Sequence, residues 1–178
     1  MDNLVKRNTG RVIWITGLSG AGKTTLAKAL LPLLPQPAIL LDGDEMREAL
    51  ALVAEGYDYE SRKRLARTYS RLCLLIASQG VTVVCATISL FHDVHDWNRA
   101  NLPGYFEVFL DIEESQLLAR DYKSVYQADT AVKENPLVVG RELLPEYPLS
   151  PDITIQNHYW KPDEIATRVY NYLSVEKP

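Results

Sequence analysis

The chain has little with which to staple, ligate or anchor a fold. Two cysteines, Cys73 and Cys85, stand among 178 residues. Both lie in apolar runs without the spacing of a disulfide framework or a metal knuckle, which points to a reducing compartment. The three histidines, His92, His95 and His158, show no metal spacing and are expected as surface or supporting groups. There is no basic excess. A net charge of −4 argues against the cationic footprint that nucleic-acid phosphates need. No apolar run reaches the roughly 18 residues of a membrane span. Residues 1–11 are polar and lack the apolar stretch of a signal peptide. These absences point to a cytoplasmic chain without a membrane or nucleic-acid partner.

What is present is ordinary globular material. Hydrophobic residues make up 47% and charged residues 24%, enough for a core in one domain over residues 1–178. Strand and helix patterns alternate. Apolar, β-branched runs at 12–16, 38–41, 81–86, 105–110 and 153–155 predict five strands, the third close to wholly apolar. Helical spacing is expected over 23–31, 45–53, 61–78, 114–121 and 163–173. Pro32 and Pro35 close the first helix. Strands separated by helices imply parallel βαβ units, hence an α/β fold with a doubly wound parallel sheet, ordered 2-3-1-4-5. Residues 122–150 break the pattern with prolines and no period, as a lid or binding loop would.

The strongest local signal is Gly17-Leu18-Ser19-Gly20-Ala21-Gly22-Lys23-Thr24, a full G-x-x-x-x-G-K-[ST] phosphate loop between a strand and a helix. Its glycines let successive N–H groups turn inward toward phosphate oxygens, and the helix N-terminus adds partial positive charge. Lys23 is placed to reach the β- and γ-phosphates of ATP, with the Thr24 hydroxyl on Mg²⁺ and Thr25 beside it. The guanine motif of a switch GTPase and the signature of a transport ATPase are both missing. The third strand does not end in an acid. Acids follow the second strand instead, at Asp42 and Asp44. At a strand's carboxyl end they face the phosphate crevice, one to accept a substrate proton and one to hold magnesium water, with Gly43 as the turn between them. Asp44 alternatively caps the following helix. Arg47, Arg62, Arg64, Arg67 and Arg71 follow, suited either to an anionic second substrate or to a solvated face.

With these elements in view, the chain resembles the adenylylsulfate (APS) kinases over roughly residues 11–157. The resemblance rests on the Gly-Leu-Ser-Gly-Ala-Gly-Lys-Thr-Thr loop and on Leu41-Asp42-Gly43-Asp44 followed by Arg47. It extends through Ile88-Ser89 after the third strand, Arg120-Asp121 with Lys123 and Tyr126, and the segment 135–151. It implies a P-loop kinase that phosphorylates a ribose 3′-hydroxyl with MgATP, under a lid at about 122–150. By this likeness Lys23, Thr24 and Thr25 serve ATP and magnesium, and Asp44 with Asp42 serves the base or metal role. Arg47 and Arg62 hold the second nucleotide, Ile88 and Ser89 line its pocket, Arg120 lies on the adenine side of ATP, and Lys123 serves the lid. The family is often dimeric, which makes a homodimer the expected assembly if one forms.

The departures bear on the acceptor. The family stacks the APS adenine between two phenylalanines. Here Tyr57 holds one position and Val138 the other. Leu65 stands where the family has an asparagine, and His92 where it has an arginine. A lost stack costs about 1–3 kcal/mol. The stretches 86–91, 96–99 and 105–109 resemble a capsule-locus subgroup of the family, the cytidine diphosphoramidate kinases. A pyrimidine tolerates Val138 better than a purine does. A true APS kinase, a gluconate- or shikimate-like kinase, and a non-catalytic nucleotide-binding module are the alternatives.

Overall fold

The computed structural model describes residues 10–50, 56, 58–113, 116–117, 143–156 and 161–175. Strand β1 (Val12–Thr16) is buried along its whole length and lies at the centre of the sheet. Around it come α1 (Lys23–Leu30), β2 (Ala38–Asp42), α2 (Gly43–Ala49), α3 (Tyr59–Ala77), β3 (Thr82–Ala86) and α4 (His92–Asn101). β4 (Phe106–Asp111), β5 (Ile153–Gln156) and α5 (Pro162–Val175) follow. The five strands form one sheet in the order β2-β3-β1-β4-β5, every pair parallel, as the alternation implies.

The two faces of the sheet divide the apolar residues by their alternation along each strand. Ile13 and Ile15 of β1, with Val84, Phe106 and Val108, pack under α1 and α5. Val12 and Trp14, with Val83 and Cys85, pack under α3 and α4. A sheet covered on both sides needs the near-continuous hydrophobic strands found here. Cys73 and Cys85 are both free and buried, and burial pushes the Cys85 thiol up.

The structure corrects several expectations. α2 starts at Gly43 rather than residue 45, because the Asp42 carboxylate caps it by accepting from the Asp44 N–H at 3.0 Å. The cap is therefore Asp42, not Asp44. Gly43 is helical and has no left-handed φ. α4 has no counterpart among the expected helices. Its inner face is Val94, His95 and Asn98, which lacks a run of large apolar residues. Of the helix expected at 114–121, Gln116 and Leu117 are helical and the rest lies outside the described residues.

On the α4 side, β4 buries a charge. Glu107 is 2% exposed. Its Oε1 accepts from the Tyr105 hydroxyl at 3.0 Å and its Oε2 from Arg99 at 3.2 Å. Arg99 also grips both Asp152 oxygens at 2.9 Å and so ties α4 to the start of β5. Burial raises the Glu107 carboxyl above its ordinary value, against the pull of Tyr105 and Arg99. We expect Arg99→Ala to lose about 1–3 kcal/mol in urea unfolding at neutral pH, since a buried carboxylate loses a donor. A native pKa above the unfolded one means that ionised Glu107 weakens the fold as pH rises, and more so without Arg99. The variant's deficit should therefore shrink as pH falls through the raised Glu107 value toward 4.5. A deficit that does not change with pH counts against the role assigned to Glu107.

Candidate active site

The carboxyl ends of β1, β2 and β3 converge on one crevice, and short hydrogen bonds lock them together. From β1 the chain enters the phosphate loop at Gly17, with φ +148°, where an added Cβ would lie 2.6 Å from the Leu110 carbonyl oxygen. Only glycine fits there. The loop ends at Gly22, the left-handed N-cap of α1 (φ +93°). Its missing side chain leaves the first N–H groups of α1 facing outward, as an anion site requires. Lys23 Nζ donates to the Leu18 carbonyl at 2.7 Å, which folds the ammonium back over the loop.

The next residue joins the loop to β2. Thr24 Oγ1 donates to Asp42 Oδ2 at 2.6 Å. Asp42 is buried, and its other oxygen caps α2. The Tyr69 hydroxyl of α3 donates to the Gly43 carbonyl at 3.0 Å, and burial pushes this phenol up, so it remains a donor. At Gly43 an added Cβ would meet Thr87 Oγ1 at 3.2 Å. A side chain there would crowd Thr87, and Gly43 makes no left-handed turn.

β3 leads into a third wall. Thr87 N–H donates to Ile15 O at 3.0 Å, and Thr16 Oγ1 donates to Ile88 O. Ser89 is buried with a left-handed φ of 25°, and its hydroxyl lies 2.9 Å from that of Thr87. Beyond it, Glu146 ties residues 143–150 to the body of the protein. Its N–H donates to Leu90 O at 3.1 Å, and its carboxylate accepts from His92 N and the Tyr59 hydroxyl, both at 2.7 Å. Against the upward effect of burial, those donors hold the Glu146 carboxyl below its ordinary value.

The predicted site residues divide as follows. Gly17, Leu18, Ser19, Gly20, Ala21, Gly22, Lys23, Thr24 and Thr25 form the loop and the start of α1, with Asp42 behind them. Asp44 is exposed on the first turn of α2. Arg47, on the same helix, donates to Gly56 O at 3.3 Å. Arg62 is half-buried at the start of α3, after Asp58 caps that helix. Arg67 pairs with Asp93, as does Lys63. Ile88 and Ser89 form the third wall. Tyr57, Arg120, Lys123 and Val138 lie outside the described residues. Sequence reasoning passed over Thr16, Thr87 and Glu146, saw Tyr69 only as part of a helix, and expected His95 only as a surface or supporting group. For Thr16 and Thr87 the signal was a hydroxyl at or just past the carboxyl end of a buried strand.

Thr24 and Asp42 meet beside the phosphate loop, while Asp44 is exposed on the first turn of α2. A hydroxyl and a buried carboxylate oxygen 2.6 Å apart are hard oxygen donors beside a phosphate loop. That suits an ion held by one or two protein groups plus phosphates and water.

Comparison with known proteins agrees with this geometry. The family model for adenylylsulphate kinase matches residues 9–156. The chain belongs to the adenylylsulphate kinase family. As such it is a kinase, a phosphotransferase with an alcohol group as acceptor. It is 36% identical over 154 residues to a cytidine diphosphoramidate kinase of Campylobacter jejuni, covering 85% of this chain and 88% of that one. It is also 36% identical over 180 residues to an adenylyl-sulfate kinase of Pseudomonas aeruginosa, covering 98% and 90%. Among solved structures, the APS kinase of Mycobacterium tuberculosis in complex with AMPPNP and APS superposes with a TM-score of 0.82. That pair is 29% identical, with 93% of this chain and 98% of that one covered.

Two substitutions test the crevice. Asp42→Ala should remove the α2 cap, costing about 1 kcal/mol, and leave the Thr24 hydroxyl without its acceptor. Asp42→Asn should keep most of the melting temperature while kinase activity still falls at least about tenfold. Equal activity of Asp42→Asn and wild type would confine Asp42 to capping. Gly17→Ala should unfold the loop or prevent ATP binding, read by fluorescent-nucleotide titration.

Proposed function

We propose that this kinase transfers the γ-phosphoryl group of MgATP to the ribose 3′-hydroxyl of cytidine diphosphoramidate, in capsule phosphoramidate synthesis. The observation that carries the acceptor assignment is Val138, which offers no ring where the family stacks a purine. The 36% identity to a cytidine diphosphoramidate kinase supports it.

In this reading the loop N–H groups and Lys23 bind the β- and γ-phosphates. Thr24, with Asp42 or Asp44, would hold magnesium, which would supply charge neutralisation at the phosphates. The acceptor's 3′-oxygen bonds to the γ-phosphorus in line as the bond to the β,γ-bridging oxygen breaks, leaving ADP. Asp44 takes the hydroxyl proton. Arg47 and Arg62 grip the acceptor's anionic groups, Tyr57 stacks on its base, and Ile88 and Ser89 form its wall. Arg120 lies on the ATP adenine, and Lys123 belongs to a lid over 122–150 that excludes water. The enzyme so described is one cytoplasmic domain, alone or as a homodimer, with no nucleic-acid or membrane partner. A second reading, APS as acceptor, is favoured by the 36% identity to an adenylyl-sulfate kinase across 98% of the chain.

An acceptor screen separates them. MgATP is supplied with APS, CDP, cytidine diphosphoramidate or gluconate, while ADP release and product mass are followed. The proposal expects kcat/KM for cytidine diphosphoramidate at least about tenfold above APS, the scale of one base stack. Rapid turnover of APS alone replaces it with the second reading, and silence on all four with ATP bound favours a non-catalytic module. Val138→Phe should raise kcat/KM for APS by about tenfold or more. Lys23→Ala should lower kcat on the order of 10²–10³-fold.

A further inference from the structure

His95 lies on the inner face of α4 and is 6% exposed. Its Nε2 lies 2.9 Å from the Ser89 carbonyl oxygen. A carbonyl only accepts, so Nε2 carries the hydrogen, and burial pulls the imidazole's pKa down, which leaves Nδ1 bare at neutral pH. Nδ1 has no hydrogen-bond partner and lies 3.9 Å from Glu107 Oε1, which is already engaged by Tyr105. A buried imidazole with one good bond has one evident task, and that bond ends on Ser89.

Ser89 needs holding. It adopts a left-handed φ of 25° without being glycine, a conformation that persists only when its surroundings impose it. Its hydroxyl pairs with Thr87, and its carbonyl accepts from Phe91 N–H at 3.1 Å and from His95. Of these, the His95 bond is the one that arrives from the inner face of α4, the helix that Arg99 anchors to Glu107 and Asp152.

We propose that His95 is a positioning residue for the acceptor. By donating to the Ser89 carbonyl, it fixes the Ile88–Ser89 wall in the shape that orients the ribose hydroxyl for attack. This rests on the reading that Ser89 lines the acceptor site. His95 lies behind that wall and acts through Ser89.

The test uses the full chain with His95→Leu, which keeps bulk but cannot donate, and His95→Gln, whose amide can. Initial rates are taken with MgATP against cytidine diphosphoramidate and APS. His95→Leu should lower acceptor kcat/KM by about tenfold to a hundredfold, the scale of a misplaced substrate. The KM for ATP should stay within about twofold. His95→Gln should recover most of the loss. Equal losses in the two variants, or an ATP KM that rises in step with the acceptor's, overturn the proposal. If the Leu variant does not fold, His95→Asn, too short to reach Ser89, replaces it. If wild type uses neither acceptor, the functional reading fails by itself, and crystal structures decide about His95. The Ser89 φ should turn negative in the Leu variant and stay near 25° with Gln, and an unchanged φ in the Leu variant overturns the proposal.

Discussion

The hydrogen bond from Thr24 to Asp42 is the joint on which the crevice depends. It is 2.6 Å long and links the first turn of α1 to the end of β2, through residues 18 apart in sequence. The same carboxylate caps α2, so one buried side chain sets the loop, the strand and the next helix relative to each other. Burying an anion is costly unless its oxygens are occupied. Here one oxygen takes a hydroxyl and the other a helix N-terminus, whose partial positive charge suits a carboxylate. Because Asp42 is held from both sides, its position does not depend on the nucleotide.

The loop that precedes this joint is shaped by its glycine backbone rather than by its side chains. Gly17 fits against Leu110 O, which belongs to the strand on the far side of β1 from β3. The sheet order therefore matters to the chemistry. β3 leads into the Ile88–Ser89 segment on one side of β1, and β4 braces the phosphate loop on the other. The 2-3-1-4-5 order is what allows a single central strand to be flanked in this way.

Most of this frame was legible in the residues. The phosphate loop, the five apolar strands and the acids after β2 each carry a local signal, and each falls at or next to its expected place. What escaped was polar and buried. α4 was hidden because its inner face carries His95 and Asn98 where a periodic pattern demands leucines. The capping role went to Asp42 rather than Asp44 because that depends on which carboxylate turns back over the chain, and spacing alone does not decide it. Glu107 sits in an otherwise apolar strand, and Arg99 and Tyr105, its partners, are not recognisable as such until the sheet has formed. Long-range polar pairing of this kind leaves no periodic trace.

The division of labour between the two substrates follows from the same distinction. On the ATP side, the groups that hold the loop are backbone amides, glycines and one strand-end pair, which leaves little room for variation. On the side proposed for the acceptor, ties reach across elements: the His95 side chain to Ser89, the Glu146 carboxylate to Tyr59 and His92, and the Glu146 N–H to Leu90. These ties touch neither Thr24 nor Asp42. A change of base or anhydride group in the acceptor can then be met by altering the wall residues and their braces, with phosphoryl transfer left intact. The chain is equally identical, at 36%, to an adenylyl-sulfate kinase and to a cytidine diphosphoramidate kinase, as such a separation would allow.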